Sequence, residues 1–193
     1  MNKGVNISRI PGFTLVELMV TLAIAAVLAT LAAPALTRFL AKSQMNASAN
    51  ELSDSLQLAR MEAVSRNTCV SVCRRAESGA PKCAGETGAW DAGWLVYLNP
   101  GCSPVATSSD PASGQLLRAQ QALPAHVHLA NSSAEDNGDV VVYTARGVTL
   151  DPIGSTLAMK DDRFPDGSVD RNITLNTVGR VLNVAVNPGG GDD

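Results

Sequence analysis

The sequence predicts an α+β chain, one long N-terminal helix followed by many short strands. Three observations predict it. Residues 12–36, GFTLVELMVTLAIAAVLATLAAPAL, are apolar apart from the single carboxylate of Glu17. Met45, Ala49, Leu52, Leu56, Ala59 and Ala63 then recur at alternating spacings of four and three, which gathers them on one face of a helix. After Arg66-Asn67 that period stops, and short alternating segments punctuated by Gly, Pro, Asn and Asp take over.

The apolar run comes first. Nothing from Leu18 to Leu36 is charged, and at about 1.5 Å per residue this stretch of a helix spans roughly 28 Å, the thickness of a bilayer's hydrocarbon core. It can cross a membrane. A secretory signal peptide has a shorter apolar core and a polar exit, whereas here helix-compatible sequence continues to about Arg66. The pattern therefore reads as a retained helix, with any cut falling before it.

Pro34 removes one backbone donor, so a kink or a melted turn is expected there. Beyond it the 45–63 stripe reads as the second half of the same helix, docked on a sheet, with Asn46, Asn50, Asp54, Gln57 and Arg60 off the apolar face.

The β region begins at Thr68–Arg74, where Cys69, Ser71 and Cys73 share one face. Glu77–Gly88 reads as a turn, and Gly93–Asn99 as the next strand. Antiparallel pairing of these two strands returns Cys102 to the side of Cys69 and leaves Cys73 at the loop end with Cys83. Four cysteines allow three connectivities; Cys69–Cys102 with Cys73–Cys83 is the economical one on this pairing. Further strands are expected at 115–121, 126–130, 140–145, 155–160, 172–177 and 180–186, between turns such as Asn137-Gly138, Asp166-Gly167 and Val178-Gly179.

The start of the chain resembles the type IV pilin and pseudopilin signature: a short basic leader ending in Gly12, then Phe13, then Glu17 four residues on, in the string GFTLVELMV. The resemblance implies cleavage between Gly12 and Phe13 by prepilin peptidase and N-methylation of Phe13. It also implies that Glu17 pairs with the Phe13 amine of a neighbouring subunit during assembly. Without that signature, Glu17 would read as an interfacial group complementing the positive end of the helix dipole. A carboxylate held at the centre of a bilayer costs about 2.5–3.5 kcal/mol, so it calls for a partner.

Downstream, Arg66-Asn67, a cysteine-bearing strand, Gly93-Trp94 before Leu95-Val96-Tyr97, Ala145-Arg146-Gly147, and Asn172–Asn176 with Gly179-Arg180 follow in an order similar to the GspH/FimT (FimU-like) family of minor pilins and pseudopilins. The family implies two β-sheets packed by the long helix, in a low-abundance subunit near the tip of a type IV pilus or a secretion pseudopilus. The expected layout is a leader at 1–12, a long helix at 13–66 with its transmembrane part at 13–36, a β-rich periplasmic domain at 67–187, and a flexible tail at 188–193. Implied partners are other major and minor pilins or pseudopilins, the prepilin peptidase and the inner-membrane assembly platform.

Charge fixes orientation and limits partners. Lys3 and Arg9 favour a cytoplasmic N-terminus under the positive-inside rule, although Arg38 and Lys42 lie on the far side. The remainder then faces an oxidising periplasm, where paired cysteines suit disulfides better than metal. Without Lys3 and Arg9, 13 of the 15 basic side chains stand against 18 acidic ones, which gives no basic excess for nucleic acid.

Some FimT-type members capture DNA through a C-terminal Gly-Arg-x-Arg loop. Here Gly179-Arg180-Val181-Leu182 keeps the first arginine and lacks the second. DNA binding is therefore the lesser reading, resting on Arg180 and Arg171 with Lys160 and Arg163 beside them. His126 and His128 read as surface residues and Asp161, Asp162, Asp166 and Asp170 as a solvated acidic turn, since neither group has the ligand spacing of a metal site. No catalytic constellation or cofactor motif stands out. The sequence points to a structural and assembly protein, with a type II secretion pseudopilin as the alternative.

Overall fold

The computed structural model describes residues 13–76, 81–84, 89–104, 111, 115–131, 140–150 and 155–186. The expected leader, with Gly12, and the expected tail lie outside the described residues. The chain divides into two units, Met1–Leu40 and Ala41–Asp193. Helix α1, Leu15–Arg66, contributes to each.

In the first unit every described residue is exposed, and α1 is long and apolar enough to cross a membrane. The helix runs through Pro34 without a melted turn, contrary to that half of the expectation. Pro34 forfeits one backbone bond, and the flanking Leu31, Ala32, Ala33, Ala35 and Leu36 are strong helix formers that keep the bonds on either side. Thr21, Thr30 and Thr37 donate their hydroxyls to the carbonyls of Leu18, Val27 and Pro34 at 2.9, 2.7 and 2.9 Å. These three hydroxyls are thereby satisfied within the helix, as a hydrocarbon environment requires.

In the second unit all six stripe residues of α1, from Met45 to Ala63, are buried. The helix ends where Asn67 takes φ 51°, Asn67 N–H donates to Val64 O at 3.3 Å, and Thr68 N–H donates to Ala63 O at 3.2 Å. This double closure is the Schellman arrangement, with Asn in place of the usual Gly.

Eight strands follow among the described residues: β1 Val70–Arg74, β2 Trp94–Leu98, β3 Leu116–Ala119, β4 Val127–Asn131, β5 Val140–Tyr143, β6 Ser155–Asp161, β7 Arg171–Leu175 and β8 Val181–Ala185. They form two antiparallel four-stranded sheets, ordered β3-β2-β1-β5 and β4-β6-β7-β8. Alternation decides what each sheet gives the core. Val70, Val72, Trp94, Val96, Val141 and Tyr143 of the first sheet and Val127, Leu129, Leu157, Met159, Ile173 and Leu175 of the second pack with the α1 stripe into one cluster. Each side chain of Leu or Ile size buried in this way contributes about 1.5–3 kcal/mol.

The opposite face of the first sheet holds a second, smaller cluster of Cys73, Cys83 and Leu95, flanked by Tyr97 and Val140. Val70 pairs with Leu98, Asn99 N–H donates to Cys69 O at 2.8 Å, and Cys69 is bonded to Cys102. Cys73 is bonded to Cys83, beside a bridge between Arg75 and Cys83.

Trp94 is fully buried, and Gly93 ahead of it has φ 96°. A Cβ on Gly93 would stand 2.4 Å from Gln120 O and 2.7 Å from Gln121 O, so only glycine lets the chain leaving β3 pass this close. Gly-Trp is thus one packing device, a residue with no side chain beside one that fills the core.

Candidate functional site

Phe13, the first described residue, is 80% exposed. Thr14 caps the helix, its Oγ1 accepting from Glu17 N–H at 3.2 Å. Thr14-Leu15-Val16-Glu17 places Glu17 at the position of a capping-box acid, in the first turn where the helix dipole favours a carboxylate. The same Thr-x-x-Glu string lies within the pilin signature. Among the described residues no group bonds the Glu17 carboxylate. Its backbone N–H is engaged while its side chain stays exposed.

A second group of residues lies where the end of α1 meets two turns. Arg60 donates from Nε to Gly147 O at 2.9 Å and from NH2 to Val178 O at 3.1 Å, drawing the 144–149 and 177–180 turns onto the helix. Gly147 has φ 73° and Gly179 φ 76°, and a Cβ on Gly179 would sit 2.4 Å from Gly147 O. Beneath them Tyr143 is fully buried, and desolvation pushes its phenol well above the ordinary range, partly opposed by the Arg60 charge. A cavity of about 310 Å³ lies beside this contact, lined by Gln57, Arg60, Met61, Gly179, Arg180 and Val181. Sequence reasoning missed Arg60, which sits off the apolar face of α1 like any solvated arginine.

The residues of the DNA reading are not brought together. Arg180 lies in the turn joining β7 to β8, whereas Arg171 opens β7 and donates to Asn46 Oδ1 of α1. Because Arg171 pairs with Ala185 and Leu175 with Val181, the two arginines occupy opposite ends of one hairpin, roughly 13 Å or more apart along the strand. Arg163 closes on Asp161 through two bonds of 3.0 and 2.7 Å, and that contact holds the Asp161 carboxyl below its usual range. Lys160 is on β6, opposite His128 of β4. These cations do not form a common phosphate-facing surface.

The histidines also separate. His126 precedes β4, and His128 lies between two carboxylates, Nδ1 at 2.8 Å from Asp91 Oδ2 and Nε2 at 2.9 Å from Asp162 Oδ2. Asp91 also accepts from Leu129 N–H at 2.6 Å through its other oxygen. Asp91 belongs to the short 3-10 turn Trp90–Ala92 leading into β2, so His128 ties the first sheet to the second. Both ring nitrogens face acceptors, and only an imidazolium has two N–H groups to offer them. The hydrogen bonds to Asp91 and then Asp162 accordingly raise the His128 pKa.

A His raised on folding stabilises the fold fully below its unfolded value of about 6.5, and the contribution is lost as pH rises through the higher folded value. Thermal midpoints of the wild type and His128→Gln should therefore differ most in mild acid and converge in alkali. A gap that widened with pH would contradict the ionic clamp. Among the described residues no three metal-ligating side chains are grouped to hold an ion.

Comparisons with known proteins place this geometry. The family model described as type II transport protein GspH matches residues 48–190, and the prokaryotic N-terminal methylation motif matches residues 7–33. No curated protein matches the chain. Two crystal forms of the type IV minor pilin FimU of Pseudomonas aeruginosa are similar in structure. The P65 form has 21% identity and a TM-score of 0.51 over 72% of this chain and 91% of that one. The P21 form has 22% identity and a TM-score of 0.53 over 75% and 90%. The minor pseudopilin EpsH of Vibrio cholerae is similar at 14% identity and a TM-score of 0.48, over 76% of this chain and 99% of that one. With one family model spanning most of its length and the methylation motif ahead of it, the chain belongs to the GspH family of minor pilins and pseudopilins.

Proposed function

We propose that this chain is a minor subunit that joins or primes the tip of a type IV pilus. The observation that carries the reading is a membrane-length apolar stretch, residues 13–36, whose only acid, Glu17, has its carboxylate unbonded among the described residues, four positions after Phe13. Prepilin peptidase cuts between Gly12 and Phe13 and methylates the new amine. The inner-membrane platform then draws the subunit from the bilayer, and Glu17 finds the amine of a neighbouring Phe13. In hydrocarbon such a pair is worth far more than at a surface, because the alternative is an unsatisfied charge. The N-terminus faces the cytoplasm before extraction and the Ala41–Asp193 unit faces the periplasm. The subunit's work is packing and register, with no chemistry at a catalytic centre.

The test combines intact mass with fractionation. In wild-type cells the membrane-extracted chain should lack residues 1–12 and carry one methyl, and it should appear in sheared filaments. Glu17→Ala should still be cleaved yet fall at least about tenfold in the filament fraction, the loss expected for 1.4 kcal/mol or more. A full-length, unmethylated wild-type chain would return residues 13–36 to a simple membrane anchor.

The family model's own description favours a second reading, a pseudopilin of a type II secretion system. Deleting the gene separates the two: loss of surface filaments supports the pilus, and loss of an exported enzyme with filaments intact supports secretion.

A further inference from the structure

We propose that the face built by the end of α1 and the turns 144–149 and 177–180 docks an acidic, aliphatic protein surface on a neighbouring subunit. This inference rests on the filament-subunit reading above and names the surface and the kind of partner. Four aliphatic side chains stand out here: Met61 is 63% exposed, Val178 56%, Val64 52% and Val148 36%. Met61 and Val64 lie one turn apart on α1, and Val148 and Val178 lie on the two turns that Arg60 bonds to it. A Cβ on Gly147 would lie 3.1 Å from Val64 Cγ2, and Arg60 bonds the carbonyls of both Gly147 and Val178, so helix and turns are in contact. The two tight glycines bring them that close, and Arg60 locks them. The patch is therefore preorganised, and docking need not order these turns.

Its charge is opposite to that of the whole chain. Arg146 and Arg180 are exposed on the two turns that Arg60 bonds. Glu62, the acid nearest in sequence on the helix, is ion-paired to Arg66. A chain with fewer basic than acidic groups thus turns a cationic, aliphatic face outward here. An acidic partner is steered toward that face and repelled elsewhere.

The aliphatic character chooses between macromolecules. Nucleic acid would gain phosphate contacts from the arginines, but Met and Val offer bases no aromatic face on which to stack. A protein surface carrying carboxylates around aliphatic side chains satisfies both halves of the patch, with apolar contacts at the centre and charged contacts at the rim.

The full chain carrying Arg146→Glu with Arg180→Glu, and a second variant carrying Met61→Ser with Val178→Ser, test this in cells that assemble the filament. Both pairs are solvent-facing, so each variant should be cleaved normally and keep the wild-type thermal midpoint in detergent. The charge-reversed chain should fall about tenfold or more in sheared filaments, and the Ser variant by a smaller factor. Wild-type incorporation of both folded variants overturns the docking face. Wild-type chain absent from filaments sinks the underlying subunit reading and this face with it. A salt-dependent shift of a labelled 30-base-pair duplex by the detergent-solubilised wild type, lost on charge reversal while incorporation is unchanged, assigns the face to nucleic acid and overturns the protein partner.

Discussion

Replacing Gly93 by Ala is expected to destabilise the fold by at least about 3 kcal/mol. Two costs add. With φ 96° and ψ −171°, Gly93 occupies backbone space essentially reserved for glycine. The new methyl would also meet two carbonyl oxygens, of Gln120 and Gln121, that belong to backbone and cannot swing aside like a side-chain tip. Gly93 O accepts from Arg75 N–H at 2.9 Å and Gln120 N–H donates to Trp94 O at 2.8 Å, so relief by moving the chain breaks bonds on both sides. Gly101→Ala is the matched control, since its nearest obstacle is the Asn99 side chain at 3.9 Å. Denaturant midpoints of the two variants as full chains in detergent decide it: near-equal values would mean that the corner relaxes and the close approach is unimportant.

Opening the Cys69–Cys102 bond should cost nearly as much. It closes a separation of 33 residues, with the 10-residue Cys73–Cys83 loop nested inside, and loop-closure entropy then gives about 3–4 kcal/mol. For a chain of this size that corresponds to roughly 10 °C in thermal midpoint. The bond has a local task too, holding the end of β2 beside the start of β1 just after the helix terminates. Cys69→Ala with Cys102→Ala is the cleaner variant, because Ala brings no hydroxyl into a buried position. A midpoint within about 3 °C of the wild type would show that the strand pairing holds this corner unaided.

How much of this was legible depended on the range of the interaction. Helix α1 was readable because its stripe repeats at 3.6 residues, and all six of its residues are buried. The strands were readable within a residue or two because alternation and Gly-bearing turns are local; the 93–99 segment emerges as Trp94–Leu98 and the 180–186 segment as Val181–Ala185. Sheet membership was legible for the antiparallel β1–β2 pair, and not beyond it. Nothing near Val140 announces that β5 pairs with β1, some 70 residues earlier. The same holds for the site. Phe13 and Glu17 are announced by adjacent sequence, whereas Arg60 acquires its role only when Gly147 and Val178 arrive, and His128 only between Asp91 and Asp162. Arg171 was grouped with Arg180 because a string shows residues in one dimension; the hairpin places them at opposite ends.

The interleaved strand order fixes how the molecule can come apart. After β3 the chain leaves the first sheet to lay β4 in the second, returns for β5, and leaves again for β6. Neither sheet is a contiguous piece of polypeptide, so no single cut in the chain releases one whole and leaves the other. Both sheets also share one core with α1, and stripping either exposes the apolar face of its mate. The Ala41–Asp193 unit is consequently expected to melt as one cooperative block. Damage at one end, such as a reduced bond at Cys69, lowers the stability of the distant β7–β8 hairpin as well, and a subunit strained within a fibre either holds its whole shape or surrenders it all at once.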